Sequence, residues 1–446
     1  MQERRGTTRR TFLEGAATAA FALPALRHVR QEPRLKVAAI CTEFTYRSHV
    51  HVILENFLEP YYFNGKAIDP RRDFEVVSIY LDQFPEGEMG RAVAKERGIP
   101  ILSTISEALT LGGKDLAVDA VLSIGEHGKY PTNEKGQVEY PRKRFFDEIT
   151  AVFEKAGRGA PVFNDKHLSY RWDWARAMYD TAKRLRFPLM AGSSVPLAER
   201  RPPLEQPNGV PIEEALSIHG GNFEGYDFHG LEILQSIIES RKGGESGVAR
   251  LQFLEGDALW NAAQEGRWST ALADAAMAAE LGAGAKPIRE LVKQEPFNAQ
   301  PIHGILIEHV DGLRSTMLRV GSSGIRWNLA FRAKGDSTPR ATRFYVGPWQ
   351  NRCLFKALAH AIQVFFREQK APYPVERTLL TTGVLAAAVD SRFEGSREED
   401  TPELAKLAYQ PVDFTRVREM GATWKLLTED TPEPKGMHSV PAKVPK

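Results

Sequence analysis

Cysteine is nearly absent from this chain: Cys41 and Cys353 are the only two in 446 residues. Two thiols exclude a disulfide framework and a cysteine zinc site. Charge of one sign is also lacking. A formal net charge of +2 leaves no clustered basic footprint, so no nucleic-acid partner is expected. Short basic runs such as Pro141-Arg142-Lys143-Arg144 read as solvated surface. Long apolar runs are missing as well, since Gly15–Leu26 is too short to cross a bilayer as a stable helix. No G-x-S-x-G elbow, P-loop lysine or H-E-x-x-H helix occurs, which removes three common hydrolase and phosphate sites.

What is present is ordered along the chain. Thr8-Arg9-Arg10-Thr11-Phe12-Leu13 fits the twin-arginine export pattern, and an Ala-rich stretch follows, with Ala20-Phe21-Ala22 as one cleavage site. A periplasmic or other extracytoplasmic location is the expectation. The length implies more than one core. Residues 1–33 read as signal and linker, 34–195 as a Rossmann-like domain, 196–400 as a C-terminal α/β domain, and 401–446 as a polar tail. In the first domain, strand-like runs (Lys36–Ile40, Phe74–Leu81, Asp119–Ile124, Pro161–Asn164, Pro188–Ala191) alternate with helical ones, which predicts a doubly wound parallel sheet. Beyond the Pro-rich segment 196–211, Ile302–Val310, Ser315–Val320 and Ile325–Phe331 read as successive strands of a large, mostly antiparallel open sheet.

The turn after the first strand departs from a dinucleotide fingerprint. A G-x-G-x-x-G pattern would fall on Cys41, Glu43 and Tyr46. Those glycines normally let backbone approach a pyrophosphate closely. Glu43 instead adds a negative charge there, although helix amides after Thr45 remain available. Asp82, ending the second strand, is placed for ribose hydroxyls. Parallel strands also bring Glu126-His127 and Asp165-Lys166-His167 to the same carboxyl edge. Histidine and carboxylate together can bind a divalent ion, but no local ligand spacing supports one, and no metal is expected. His49-Val50-His51 is an i, i+2 pair that points apart on a helix.

Two stretches carry a resemblance. One is Ala160-Pro161-Val162-Phe163-Asn164-Asp165-Lys166-His167, followed by a helix and a strand ending near Gly192. The other is His219-Gly220-Gly221 leading to Tyr226-Asp227-Phe228-His229. On these, the chain resembles the Gfo/Idh/MocA family over roughly residues 34–392. The resemblance implies a Rossmann domain, a C-terminal sheet walling the site, and hydride exchange between NAD or NADP and a carbohydrate or cyclitol. It implies Lys166, with Asp165, at the reacting oxygen and His229 as proton carrier. It implies Thr42, Glu43, Asp82, Glu126 and His127 as cofactor contacts, and a homo-oligomer joined through the exposed face of the C-terminal sheet. His167 stands where the family has proline, and Gly225 where it has aspartate. The alternative is lyase, isomerase or hydrolase chemistry on a sugar derivative on the same scaffold, with or without a metal and with Glu43, Glu126, His127 and Lys166 as acid–base groups, or a non-catalytic ligand-binding protein.

Overall fold

The computed structural model describes residues 33–205 and 207–437, so the twin-arginine pattern lies outside the described residues. The described residues from Arg34 to Met437 cluster as one unit. The apolar run β1 (Leu35–Cys41) leads to α1 (His49–Leu58). The first crossover then carries a small hairpin, β2 (Tyr61–Phe63) with β3 (Lys66–Ile68), before β4 (Phe74–Leu81). Next come α2 (Gly90–Arg97), β5 (Ile101–Leu102) and α3 (Ile105–Thr110), the last opened by a capping box between Thr104 and Glu107. β6 (Ala120–Ile124), α4 (Arg142–Ala156), β7 (Val162–Asp165), α5 (Trp172–Leu185) and β8 (Leu189–Gly192) complete the unit. All pairings in this six-stranded sheet are parallel, in the order β5-β4-β1-β6-β7-β8. The order reverses between β1 and β6, which puts the ligand crevice of a doubly wound sheet beyond their carboxyl ends.

The second sheet begins with β9 (Glu199–Arg201) and β10 (Ile212–His219), followed by α6 (Gly225–Ile238), β11 (Val248–Glu255), α7 (Gly256–Gln264), α8 (Thr270–Leu281) and α9 (Ile288–Leu291). β12 (His303–His309), β13 (Arg314–Arg319), β14 (Trp327–Ala333) and β15 (Arg340–Tyr345) precede α10 (Asn351–Glu368), α11 (Val375–Phe393) and β16 (Glu399–Asp400). Eight strands lie in the order β16-β11-β12-β13-β10-β14-β15-β9, all antiparallel except β10 beside β13. β13 and β14 are therefore not neighbours, contrary to their expected succession. β10 separates them, and its Glu213-Glu214 pair and weak alternation hid it in the sequence.

This sheet has no open face over its centre. Leu259, Trp268, Leu272, Met277 and Ile288 from α7–α9 pack in one cluster with Leu216, Ile218, Leu318 and Ala330 of the strands. The face through which the resemblance implies association is thus covered by the chain's own helices. Residues 401–437, expected as a polar tail, are also tied down. Leu404, Leu407, Phe414, Val417, Leu427 and Met437 are buried, too widely spaced to register as an apolar segment.

All ten residues of α1 are buried, including Glu55, which is unusual for a Rossmann helix. Its outer face lies under α10. Arg352 of α10 meets Glu55 at 2.7 Å with both side chains fully buried. The same guanidinium donates to Gly436 O at 2.7 Å. Such a pair contributes little beyond an apolar replacement, but breaking it leaves a bare charge in the interior. Arg352→Ala is expected to lower unfolding free energy by about 3–5 kcal/mol, read from the urea midpoint, whereas Arg72→Ala on the exposed crossover should shift it by less than about 0.5 kcal/mol.

Candidate functional site

A cavity of about 530 Å³ opens between the carboxyl edge of the parallel sheet, the start of α6 and the start of α10. Its floor comes from β6 and β7. Glu126 and His127 follow β6, and Lys166 follows β7; His127 (φ 69°) and Lys166 (φ 66°) both adopt the left-handed conformation. That backbone is costly for non-glycine residues and concentrates at sites. Thr42, at the end of β1, donates its hydroxyl to Glu126 O at 2.5 Å, so it braces this floor from behind.

The Glu126 carboxylate sits 3.2 Å from Lys166 Nζ and pairs with buried Arg142 at the start of α4. Burial favours the neutral acid, but Lys166 and Arg142 outweigh it and hold the carboxyl well below its ordinary range. Lys166 Nζ also donates to Gly225 O at 3.3 Å, tying β7 to α6. His167 does not line the cavity. It faces Glu224 and Arg142, each at 3.2 Å.

Two imidazoles enter from opposite walls. His49, opening α1, bonds Asp165 Oδ2 through Nδ1 at 2.6 Å. His229 of α6 meets Ser193 Oγ through Nδ1 at 2.6 Å. Burial, then Lys166 and His49, push His229 well below the usual histidine range, so it is neutral. Tyr226 stacks on Trp327 at 5.2 Å and 10°, and His229 meets Trp327 edge-on at 5.4 Å. Both aromatics line the cavity. Trp327 Nε1 and Ser194 Oγ, on cavity-lining residues, have no protein partner among the described residues. Both atoms are shut off from the open part of the cavity in this conformation.

The site therefore gathers Lys166, His229, Glu126 and His127, with Asp165 one bond behind on His49 and Thr42 behind Glu126. Glu43 and Asp82 are not brought in. Glu43 accepts from Thr45 Oγ1 at 3.0 Å. The Asp82 carboxylate takes Tyr80 and Tyr130 hydroxyls, both at 2.7 Å, and Arg144 at 2.5 Å, so it has little capacity left for a ribose. Tyr130 and Arg144 belong to the loop and helix after β6, which hold the edge of the sheet rather than the cavity. His49 went unassigned because its partner Asp165 lies 116 positions away. A histidine opening the first helix, opposite a strand-end aspartate, was the available signal.

Among the described residues, one cluster has the spacing of a metal site: His219, Asp227 and His303. Asp227 and His229, two apart on α6, do point apart. Asp227 Oδ1 accepts from His219 Nε2 at 2.8 Å and His303 Nε2 at 2.7 Å, and Oδ2 accepts Glu224 N–H at 2.7 Å. A neutral histidine bound to metal through Nε2 carries its proton on Nδ1. Here His219 Nδ1 instead accepts Gly221 N–H at 3.2 Å. The donor set fits two imidazole N–H groups on one carboxylate, a clamp that holds the first turn of α6.

No family model matches the chain, and no curated protein does. Solved structures share its fold. GenD2 from gentamicin A biosynthesis, in complex with NAD, superposes with a TM-score of 0.53 at 12% identity, covering 83% of this chain and 97% of that one. A myo-inositol dehydrogenase from Corynebacterium glutamicum does so with 0.50 at 13%, covering 82% and 99%. These neighbours are Gfo/Idh/MocA-type dehydrogenases, so the chain has the α/β fold of that class at low sequence identity.

In this fold a nicotinamide dinucleotide would rest on the turn between β1 and α1. Its pyrophosphate needs open amides at the start of α1. Here Thr45 N–H and His51 N–H go to Ser48 Oγ (3.2 and 3.4 Å), Arg47 N–H to His51 Nδ1 (2.8 Å), Ser48 N–H to Thr45 O (3.1 Å) and His49 N–H to His127 Nδ1 (3.4 Å). Phe44, fully buried, fills the space beside Gly90 and Leu81, and its carbonyl accepts Met89 N–H at 2.8 Å. Gln83 N–H reaches Thr42 O at 2.8 Å. The turns after β1 and β4 are thus knitted together where an adenosine half would lie. In this conformation the residues do not fit a dinucleotide in the pose that the fold usually supports.

Burial, then His49, push His127 down to about 4, and burial, then Arg367, push His360 to about 4. An unfolded histidine titrates near 6.5. Between about pH 6.5 and about pH 4 the unfolded chain binds more protons, so stability falls as pH is lowered through that window. Urea unfolding at about pH 7 and about pH 5 is expected to show this loss, with a shallower slope for His127→Asn, whose side chain tolerates a left-handed backbone.

Proposed function

We propose that this chain is an acid–base enzyme that moves protons on a carbohydrate-like ligand without hydride transfer, built on a dehydrogenase fold. The observation that carries the reading is the pair of imidazoles, His49 and His229, each anchored through Nδ1 and facing one cavity beside Lys166. Asp165 accepts from His49 Nδ1, which leaves Nε2 as a base able to take a proton α to a ligand carbonyl. The Lys166 ammonium is placed to stabilise the enolate oxygen that develops. Val195 N–H donates to Ser193 Oγ at 3.0 Å, leaving the serine hydrogen for His229 Nδ1. His229 Nε2 then carries the hydrogen of a neutral imidazole and donates a hydrogen bond to the ligand, while the proton held on His49 Nε2 is delivered to the neighbouring carbon in an isomerisation or leaves with the departing hydroxyl as water in an elimination. The Tyr226–Trp327 stack beside the polar groups of the cavity suits a polyhydroxylated ring. The Thr8-Arg9-Arg10-Thr11-Phe12-Leu13 pattern supports action outside the cytoplasm.

A second reading keeps hydride exchange with NAD or NADP. It is favoured by the convergence of Lys166 and His229, the two residues the family resemblance singles out, in a fold shared with dehydrogenases. It requires Phe44 and the turn before α1 to open.

Incubating the protein in deuterium oxide with a panel of sugar-derived ketones and acids, read by mass spectrometry, tests the first reading. Solvent deuterium should enter the ligand, and His49→Asn or Lys166→Met should slow this by about 10²–10⁴-fold while the folded protein keeps its circular dichroism. Calorimetry with NAD, NADH, NADP and NADPH tests the second. No measurable binding is expected, and micromolar binding with a ligand-dependent change in nicotinamide absorbance would reverse the order of the two readings.

A further inference from the structure

Arg47 differs from the other cations of the cavity because its partner comes from the far end of the chain. It stands in the turn before α1, in a left-handed conformation (φ 62°), and lines the cavity with Gln350 and Asn351. Asn351 Nδ2 holds its carbonyl at 3.0 Å. The guanidinium is taken by Glu433, which accepts from Arg47 Nε at 3.1 Å and also from Nη2. The same carboxylate accepts the Tyr46 hydroxyl at 2.8 Å and lies 3.4 Å from Arg352 Nη1. Two guanidinium groups and a phenol thus converge on one carboxylate, an arrangement of strong, charge-assisted donors.

The two arginines are held very differently. Arg352 is fixed by Glu55, with both side chains fully buried. The Arg47 and Glu433 side chains keep 32% and 24% of their exposure. The Arg47–Glu433 pair, unlike the fully buried Arg352–Glu55 pair, is within reach of solvent, so another carboxylate can exchange for Glu433 while Arg352 stays fixed. Deeper in, one carboxylate, Glu126, answers both Lys166 and Arg142. At the Arg47 end, by contrast, Glu433 and Glu55 balance Arg47 and Arg352, so a ligand carboxylate would enter there by exchange for Glu433.

We infer that the ligand of this cavity carries a carboxylate that replaces Glu433 on Arg47 and Tyr46, which makes it an acidic sugar derivative of the aldonate or uronate class. This rests on the reading of the cavity as a carbohydrate site. Glu433 then acts as an internal placeholder that keeps Arg47 paired until the ligand arrives. The acid group would sit at the mouth, and the remainder of the ligand would reach Lys166 and the two imidazoles.

Calorimetry with D-glucuronate, D-gluconate, D-glucose and D-glucose 6-phosphate tests the inference on the full chain and on Glu433→Gln and Arg47→Gln. The two acids should bind at least about tenfold more tightly than glucose. Glu433→Gln, which removes the competing charge, should tighten the acids several-fold and leave glucose unchanged. Arg47→Gln should abolish the preference. Equal binding of acids and glucose, weaker acid binding by Glu433→Gln, or a preference for the phosphate over both acids would overturn the carboxylate assignment while leaving a carbohydrate site. Binding of none of the four by any folded variant would overturn the carbohydrate reading itself, and this inference with it.

Discussion

The Glu126 carboxylate, buried between Lys166 and Arg142, is the contact on which the arrangement of the site depends. Without it two cations would face each other in a poorly solvated interior, at a cost that neither hydrogen bonds nor packing would offset. Its effects reach both sheets. Arg142 opens α4 and touches His167, His167 faces Glu224, and Glu224 leads into α6. Lys166 closes the circuit on Gly225 O. The wall that carries Tyr226 and His229 is therefore placed by a chain of charges that begins at the end of β6.

The same logic explains what has become of the β1–α1 turn. In a dinucleotide-binding sheet this turn leaves its amides exposed for phosphate. Here Ser48, His51 and His127 consume them, and Glu433 supplies a negative charge from within the chain. The start of α1 is used to present His49 to the cavity. The fold is shared with dinucleotide-binding proteins while the groups at this turn differ, and fold likeness by itself says little about chemistry in such a case. The burial of α1 on all sides has the same source, since the segment that brings Glu433 also reaches His51 of the helix through Gly436 O.

Much of the scaffold is legible in the sequence. The strands of the first sheet are short apolar runs, and helices such as α2 and α5 are bounded by glycine or by clear periodicity, so local signals sufficed. Parallel topology alone then brings Glu126, His127, Asp165 and Lys166 to one edge. Less visible were β10, whose paired glutamates mask its alternation, and the terminal segment, whose apolar residues are scattered among polar ones. The helices α7–α9 were partly visible as an Ala-rich run, but nothing local said that they would cover the second sheet.

In the first sheet, the order of strands and helices, the parallel pairing and the lack of a glycine turn were determined by the sequence itself, because each is encoded within a few neighbouring residues. The tertiary structure decided which charged groups are spent and which remain to act. Asp82 is spent on Tyr80, Tyr130 and Arg144; Asp227 is spent on two histidines; Asp165 is given to His49. A carboxylate's capacity is set by every donor within about 3 Å of it, and those donors come from positions far apart in the chain. Local pattern can place such a residue at the edge of a sheet, but only the folded packing determines what it is bonded to there.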